Sequence, residues 1–525
     1  YLVFAENNSV TIAGTIDGAA NNEGTLQVTG TLKTFSSAIG STYRVGTLDI
    51  DADVDFDSSV ASNTVTLDGA ILGATSLSFA STVTINDDIT TTGTQTYNDA
   101  VVLGADVTLT TTDSNITFNG TINSNGGTAR VLTIDLDAND NGTTADVTFG
   151  DTTADTLGAT NPLGAIIITG DMDLNAAITS AASISVSGTS NLGANVTTSG
   201  TQTYTGAVVL EVDTTLTTTN SNITFSSTVD GDGTARDLTI DTNGNTGTIL
   251  FDGLVGASND LDVIDITGNL DLDAAIANTT SLAVSGTSNL GANVTTSSTQ
   301  TYTGAVTLSA ATVTLTTTDS DVTFGSTVDS DSGQTRNLTI DTNGTTGTVQ
   351  FGGMVGNTDG LGAITITGNL DLDANIVSAS SISVSGTSDL GANVTTTGNQ
   401  TYTGAVTLSA NVTLTTTSNG AVYFGSTVDG AYTLDITANG TGDTTFVGAI
   451  GGTTGLGNIT IDTNDLTAAA ITAGGTLDIT HSGTGAITGI MADDGETSLV
   501  LTKAGAGTLT LSGINTYTGN TTISA

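Results

Sequence analysis

The sequence predicts an all-β fold, a right-handed parallel β-helix (β-solenoid) whose 18–20-residue turns are grouped in ~100-residue supermodules. Three observations carry that expectation. Apolar residues alternate strictly along short segments: Val406, Leu408, Ala410, Val412 and Leu414 share one parity, and Thr407, Ser409, Asn411 and Thr413 share the other. Period 2 marks a strand with one buried face. Related pentapeptides return every 18 residues, LDANI from 372, LGANV from 390 and LSANV from 408, and likewise LDGAI from 67, INDDI from 85 and LGADV from 103. No segment holds a helical period, and Gly, Asn and Asp punctuate the strands where tight corners need positive φ.

The longer repeat is visible in LGANVTTSGTQTYTGAVVLEV from 192, LGANVTTSSTQTYTGAVTLSA from 290 and LGANVTTTGNQTYTGAVTLSA from 390, with a divergent copy from Ile85. Its tyrosines, Tyr97, Tyr204, Tyr302 and Tyr402, are 107, 98 and 100 residues apart, and Phe118, Phe225, Phe324 and Phe424 keep nearly the same spacing. No Pro-, Ser- or charge-rich linker separates the copies, which argues against beads on a string; the alternative all-β reading, a string of β-sandwich domains of about one hundred residues, would leave the 18-residue subperiod accidental. Residues 46–450 read as one solenoid of four supermodules, preceded by less regular turns at 1–45 and followed by terminal turns at 451–525. About five turns per hundred residues implies roughly 26 turns stacked at about 4.8 Å. Where the interval stretches, as between Phe324 and Phe351, a loop is inserted into a turn. The 4% aromatic content fits a narrow interior of stacked aliphatics with few places for rings.

Composition excludes several functions. With 52 acidic and 6 basic residues and a net charge of −46, the chain cannot displace counterions from nucleic acid or an anionic membrane surface. An apolar fraction of 37% is too high for disorder, so the charge decorates a folded surface. Without Cys there is no disulfide, thiolate metal site or cysteine nucleophile. No run of about 18 apolar residues predicts a membrane-spanning helix, so no direct membrane insertion is expected of this segment.

The last 28 residues read SLVLTKAGAGTLTLSGINTYTGNTTISA. Lys503, Gly505, Gly507, Leu509, Leu511, Gly513, Asn515, Tyr517 and Gly519 follow the spacing of the autotransporter-associated β-strand repeat, and the segment resembles that repeat of bacterial autotransporter passengers. The resemblance covers about 5% of the chain, with weaker echoes in TQTYTGAV at 299–306 and NQTYTGAV at 399–406. It implies a secreted β-helix on the extracellular side of a bacterial outer surface, and a continuation beyond this segment.

Candidate sites are mostly acidic. Asp49, Asp51, Asp53, Asp55 and Asp57 alternate through DIDADVDFD, so a regular strand would align all five on one outward face. Asp271 with Asp273, and Asp371 with Asp373, form smaller versions, as do Asp171 and Asp173. Such carboxylates repel, and Ca²⁺, which takes oxygen ligands, would relieve them; the competing reading is a solvated face. Asp137, Asn139 and Asn141 before Gly142 match the first half of an EF-hand loop, but Thr148 stands where its closing Glu belongs. Arg130, Arg236 and Arg336 occupy equivalent positions, as a repeated structural ion pair would. His481 is the only histidine, in what reads as an ordinary strand ending in a turn. The TQTY tyrosines read either as corner packing or as adhesive anchors.

Catalysis is therefore not expected. The leading reading is a non-enzymatic cell-surface structural protein, a fibre, stalk or coat element that self-associates head-to-tail or laterally. The alternatives are an adhesin passenger that binds a cell-surface receptor or glycan, whose pattern-breaking loop would lie in 1–45 or 450–500, and, more remotely, a polysaccharide-cleaving β-helix.

Overall fold

Alternating Val/Ile/Leu and Thr/Ser/Asn form three-residue strands here, because a corner interrupts the chain before a longer strand can extend. Strands such as Gln95–Tyr97, Val101–Leu103 and Val107–Thr110 follow one another with two- to four-residue corners, and each pairs in parallel with the strand three places on. Three strands thus make one turn. The structure, a computed structural model, describes residues 1–525 except 57, 59, 80, 81, 140, 141, 143, 245 and 525. Among the described residues there is no helix, and the fold is a parallel β-solenoid of about 24 turns. The chain divides into two units, Tyr1–Asn269 and Leu270–Ala525.

In the first unit one ladder runs Val83, Val101, Ile122, Leu157, Ile178, Val196. The long step from Ile122 to Leu157 is one turn carrying corner insertions, as the stretched intervals predict. In the second unit Leu270, Ser288, Val306 and Val328 stack in the same way. Inward residues are buried along these ladders, while most of the residues between them are half-buried or exposed. Corners are tight. At Gly158 and Gly356, φ is +74° and +65°, and an added Cβ would lie 2.0 Å from the Ser180 and Ser378 carbonyl oxygens of the next turn.

The interior corrects the expectation that rings have little place there. In the first unit Phe79, Tyr97, Phe118 and Phe149 stack with centroids 5.6, 4.8 and 5.4 Å apart, and Tyr204, Phe225 and Phe251 with centroids 5.5 and 5.1 Å apart. In the second, Tyr302, Phe324 and Phe351 and then Tyr402, Phe424 and Phe446 do the same. The register explains why the stacks are short. The first ladder continues from Phe149 into Leu174, Leu192 and Leu210, while Tyr204 stands on a different ladder, after Ile134, Ile168 and Val186. In the second unit Phe351 likewise passes into Leu372, Leu390 and Leu408, and Tyr402 follows Ile340, Ile366 and Val384 on another ladder. Within each unit, then, the second aromatic stack opens on a different face from the first.

The tyrosines are fully buried in strands and sit neither at corners nor on the surface, which overturns both readings of the TQTY motif. Gln and Tyr, two residues apart, both point inward. Gln202 donates through Nε2 to the Val196 carbonyl (3.2 Å), to Thr198 Oγ1 (3.4 Å) and to the Thr217 carbonyl of the next turn (2.9 Å). Its Oε1 accepts from the Tyr204 hydroxyl at 3.1 Å. Gln95, Gln300 and Gln400 repeat the arrangement with Tyr97, Tyr302 and Tyr402. Burial pushes all four phenols far above the ordinary tyrosine range. Each amide is thereby satisfied in an interior where an unpaired one costs about 1–3 kcal/mol. By contrast, the buried hydroxyls of Ser190, Ser288 and Ser388, set in aliphatic ladders, have no partner.

Denaturant unfolding and amide exchange should separate these cases. Tyr302→Phe keeps the ring stack and loses one hydrogen bond, for a cost of about 1 kcal/mol. Gln300→Ala strands the phenol and the Thr316 carbonyl and leaves a cavity, for a cost of about 3 kcal/mol or more. Ser288→Ala removes an unpaired buried hydroxyl and should raise stability by about 0.5 kcal/mol. Equal effects of the first two substitutions would show that the buried amide has no special role.

Candidate functional site

The aspartates are the natural starting point, and the chain path decides their grouping. Asp49 lies in the strand Val45–Ile50 and Asp55 in the strand Val54–Phe56, with a corner between them at which Ala52 is buried. Asp51 and Asp53 occupy that corner, so Asp49, Asp51 and Asp53 do not lie along one straight strand, and Asp57 lies outside the described residues. The in/out alternation continues from Asp49 to Val54, but the chain bends between the two strands. Gln27 Nε2 donates to both Asp49 and Asp51, at 3.0 Å each. Burial, and then the neighbouring Asp51, raise the Asp49 carboxyl above its usual range.

The same device recurs in the second unit. Gln350 Nε2 donates to Asp371 at 3.3 Å and to Asp373 at 2.9 Å. One amide group thus bridges two carboxylates spaced i, i+2. Asp271 accepts from Asn289 Nδ2 at 2.8 Å, and Asp273 also has a partner. Asp137 accepts from the Gly142 N–H at 3.0 Å, closing its own loop, and Asn139 donates to Asp113 at 2.9 Å, while Asn141 is not among the described residues. Among the described residues no three His, Cys, Asp or Glu side chains converge as a metal site would require.

A role that the sequence reading missed accounts for many of the remaining Asp and Asn residues. At one corner of each repeat an Asp or Asn side chain accepts the backbone N–H of a threonine one turn on. The pairs are Asp88 with Thr108 (2.6 Å), and Asn195, Asn293 and Asn393 with Thr215, Thr314 and Thr413 (2.8 Å each). At another corner Asn115, Asn222 and Asp321 accept from the N–H groups of Asp146, Thr248 and Thr348. Either residue serves, because both offer a side-chain oxygen at the same reach. The interchange of Asp and Asn between copies is the signal that could have revealed this. It also gives Asn195 and Asn393, which head Asn-x-Thr strings, a structural role.

Of the three equivalent arginines two form the expected ion pair. Arg236 meets Asp232 through Nε (3.2 Å) and through a terminal nitrogen (2.9 Å), and Arg336 meets Asp331 at 2.5 and 2.8 Å. The Arg130 Nε has no hydrogen-bond partner. His481 ends the strand Gly475–His481 as expected and is buried, with its ring against Gly485 and Gly507, neither of which has room for a Cβ. No serine hydroxyl or carboxylate is hydrogen-bonded to either ring nitrogen, so no nucleophile relay is built there. Burial, and then nearby Lys503, hold the imidazole below its usual range.

In the terminal pattern the matched residues also serve the fold. The Lys503 side chain is buried, and Nζ donates to the Ala504 carbonyl at 2.5 Å and the Gly505 carbonyl at 3.0 Å. Asn515 Oδ1 accepts from the Met491 N–H at 3.0 Å. At Gly513 an added Cβ would lie 2.0 Å from the Gly489 carbonyl oxygen. A family model, the passenger-associated-transport-repeat, matches residues 501–525, the segment that carries the autotransporter resemblance. No curated protein and no solved structure matches the chain.

Two substitutions test the carboxylate geometry. Asp389 stands opposite Asp371, where the equivalent Asn289 donates to Asp271. Asp389→Asn restores the donor and should stabilise the second unit by about 0.5 kcal/mol at neutral pH, the gain being small because these side chains reach solvent. Burial, then Asp373 and Asp389, raise the Asp371 carboxyl. The folded state therefore holds that proton more tightly, and stability falls as pH rises from the unfolded carboxylate value through the folded one. The benefit of Asp389→Asn should accordingly appear across that rise and vanish in acid, as followed by urea unfolding against pH. Gln350→Glu replaces the bridging amide with a third carboxylate. It should cost about 1 kcal/mol at neutral pH and make stability respond to millimolar Ca²⁺, to which the parent chain stays indifferent. A parent chain stabilised by Ca²⁺ would show that the amide bridges do not replace the cation.

Proposed function

We propose that this chain is a non-enzymatic structural segment of a passenger displayed at a bacterial surface, an acidic β-solenoid acting as a fibre, stalk or coat element. One observation carries the reading: the interior amides and many of the corner carboxylates are engaged by the solenoid itself. The glutamine amides hold buried phenols, the corner carboxylates accept backbone N–H groups, and the lone histidine has no relay partner. The passenger-associated-transport-repeat at residues 501–525 supports export and surface display.

A spacer is modular where an enzyme or a receptor-binding site is not. In-frame removal of residues 290–389 joins equivalent points of two repeats, LGANVTT to LGANVTT. The expected product folds with unchanged strand content per residue, remains on the cell surface, and is shorter in electron micrographs by about 23 Å, the rise of roughly five turns. Loss of display or of folding, or turnover of an acidic polysaccharide by the parent protein, would overturn the proposal.

A further inference from the structure

With 52 carboxylates in the chain, an outward face that lacks them is informative. The unit Leu270–Ala525 has one over eight successive rungs. Its central column runs from Thr365 through Ser383, Thr401, Tyr423 and Thr445 to Thr510, and holds only Thr, Ser, Tyr and Ala. The column two residues on, from Thr367 through Val447 to Ser512, holds only Thr, Ser, Gly, Val and Ala. The other faces of this unit do not share the property. On one, Asp371 stacks on Asp389, and Thr407 on Asp429; on the next, Asp435 and Asp478 flank Thr460. Two carboxylates, Asp443 and Asp465, border the strip at its leading edge, and there each is tied to backbone N–H groups of the following turn. Near the middle of the strip Tyr423 and Val447 are 38% and 55% exposed.

We propose that this strip is where a second copy of the chain docks laterally, an inference that rests on the structural reading above. Charge selects the partner. A chain with 6 basic residues has almost no complement for its own carboxylates, and two copies at −46 repel wherever acidic faces meet. The uncharged strip is the face on which close approach buries no carboxylate, and flat β-faces pack at about 10 Å with their side chains interdigitated. Tyr423 and Val447 supply apolar anchors amid hydroxyls. The strip is about 34 Å long and on the order of 350 Å² per copy, below the roughly 800 Å² of a standard interface. Association in solution is accordingly weak, and it strengthens where chains stand at high local density.

The test is sedimentation equilibrium of the 525-residue chain from about 10 µM to 1 mM, at low salt and at about 0.5 M salt. A dimer is expected that tightens as salt screens the overall repulsion. Thr401→Asp with Thr445→Asp should weaken it more than tenfold, whereas Thr407→Asp on an acidic face changes it less than twofold. Because the chain has no Cys, a second readout needs no loss of binding. Thr445→Cys should oxidise to a covalent dimer faster than Thr407→Cys, even if the double variant folds poorly. A chain that is monomeric under all conditions, equal behaviour of the strip and control variants, or a monomer that instead binds a neutral polysaccharide through the strip would each overturn the proposal. None of those outcomes touches the surface-display reading, which is tested by the deletion of residues 290–389.

Discussion

Everything in this structure depends on the parallel backbone ladder between successive turns. A strand pairs with the strand one turn on, residue over residue, so each side chain lies directly above its counterpart at about 4.8 Å. Inside, that constraint is favourable. Aliphatic residues stack on aliphatic residues, rings stack on rings, and an amide placed beside each tyrosine takes up the donors and acceptors that would otherwise be buried unpaired. Outside, the same constraint is unfavourable to charge, because identical carboxylates would be stacked at the closest spacing the backbone permits.

The distribution of acid follows from this. At two of the places where carboxylates fall next to each other, Asp49 with Asp51 and Asp371 with Asp373, a glutamine amide from the adjacent turn bridges them. Where they stand at corners, as Asp88 and Asp321 do, they accept N–H groups of the next turn. Asn does the same work in neighbouring repeats, so the large negative charge is partly a by-product of choosing Asp rather than Asn as the corner acceptor. The ionised form adds solubility and repulsion between chains, and the corner requires only the oxygen.

The architecture was readable from the sequence because it has a period, and its chemistry less so because that is set by position within the turn. Strict alternation around Val406–Leu414 and the 18-residue return of LDANI, LGANV and LSANV pointed to short parallel strands, and the stretched intervals located inserted loops. Tyr204 was misplaced because an aromatic among Thr, Gln and Gly looks like a turn residue, and only register shows Gln202 and Tyr204 facing inward together. For Asp49 to Asp53 the limit was the opposite one. Alternation continued through the corner at Ala52, where the chain no longer does. The corner acceptors were visible all along as Asp/Asn exchange between copies, a signal that gains meaning once the next turn's N–H groups are in view.

These constraints also say where such a chain is free to vary. The inward positions are held by stacking and the corners by side-chain hydrogen bonds, whereas the middle outward residue of many strands is held by neither. The strands Ile223–Phe225, Val322–Phe324 and Val422–Phe424 show it: their inner residues stay aliphatic and Phe, while the outward residue is Thr224, Thr323 and then Tyr423. A solenoid can therefore change what it presents to a partner one rung at a time without altering its fold. Whatever distinguishes one face of this chain from another is written in those outward columns, and the absence of carboxylates from one of them in the second unit is a difference the backbone ladder does not impose.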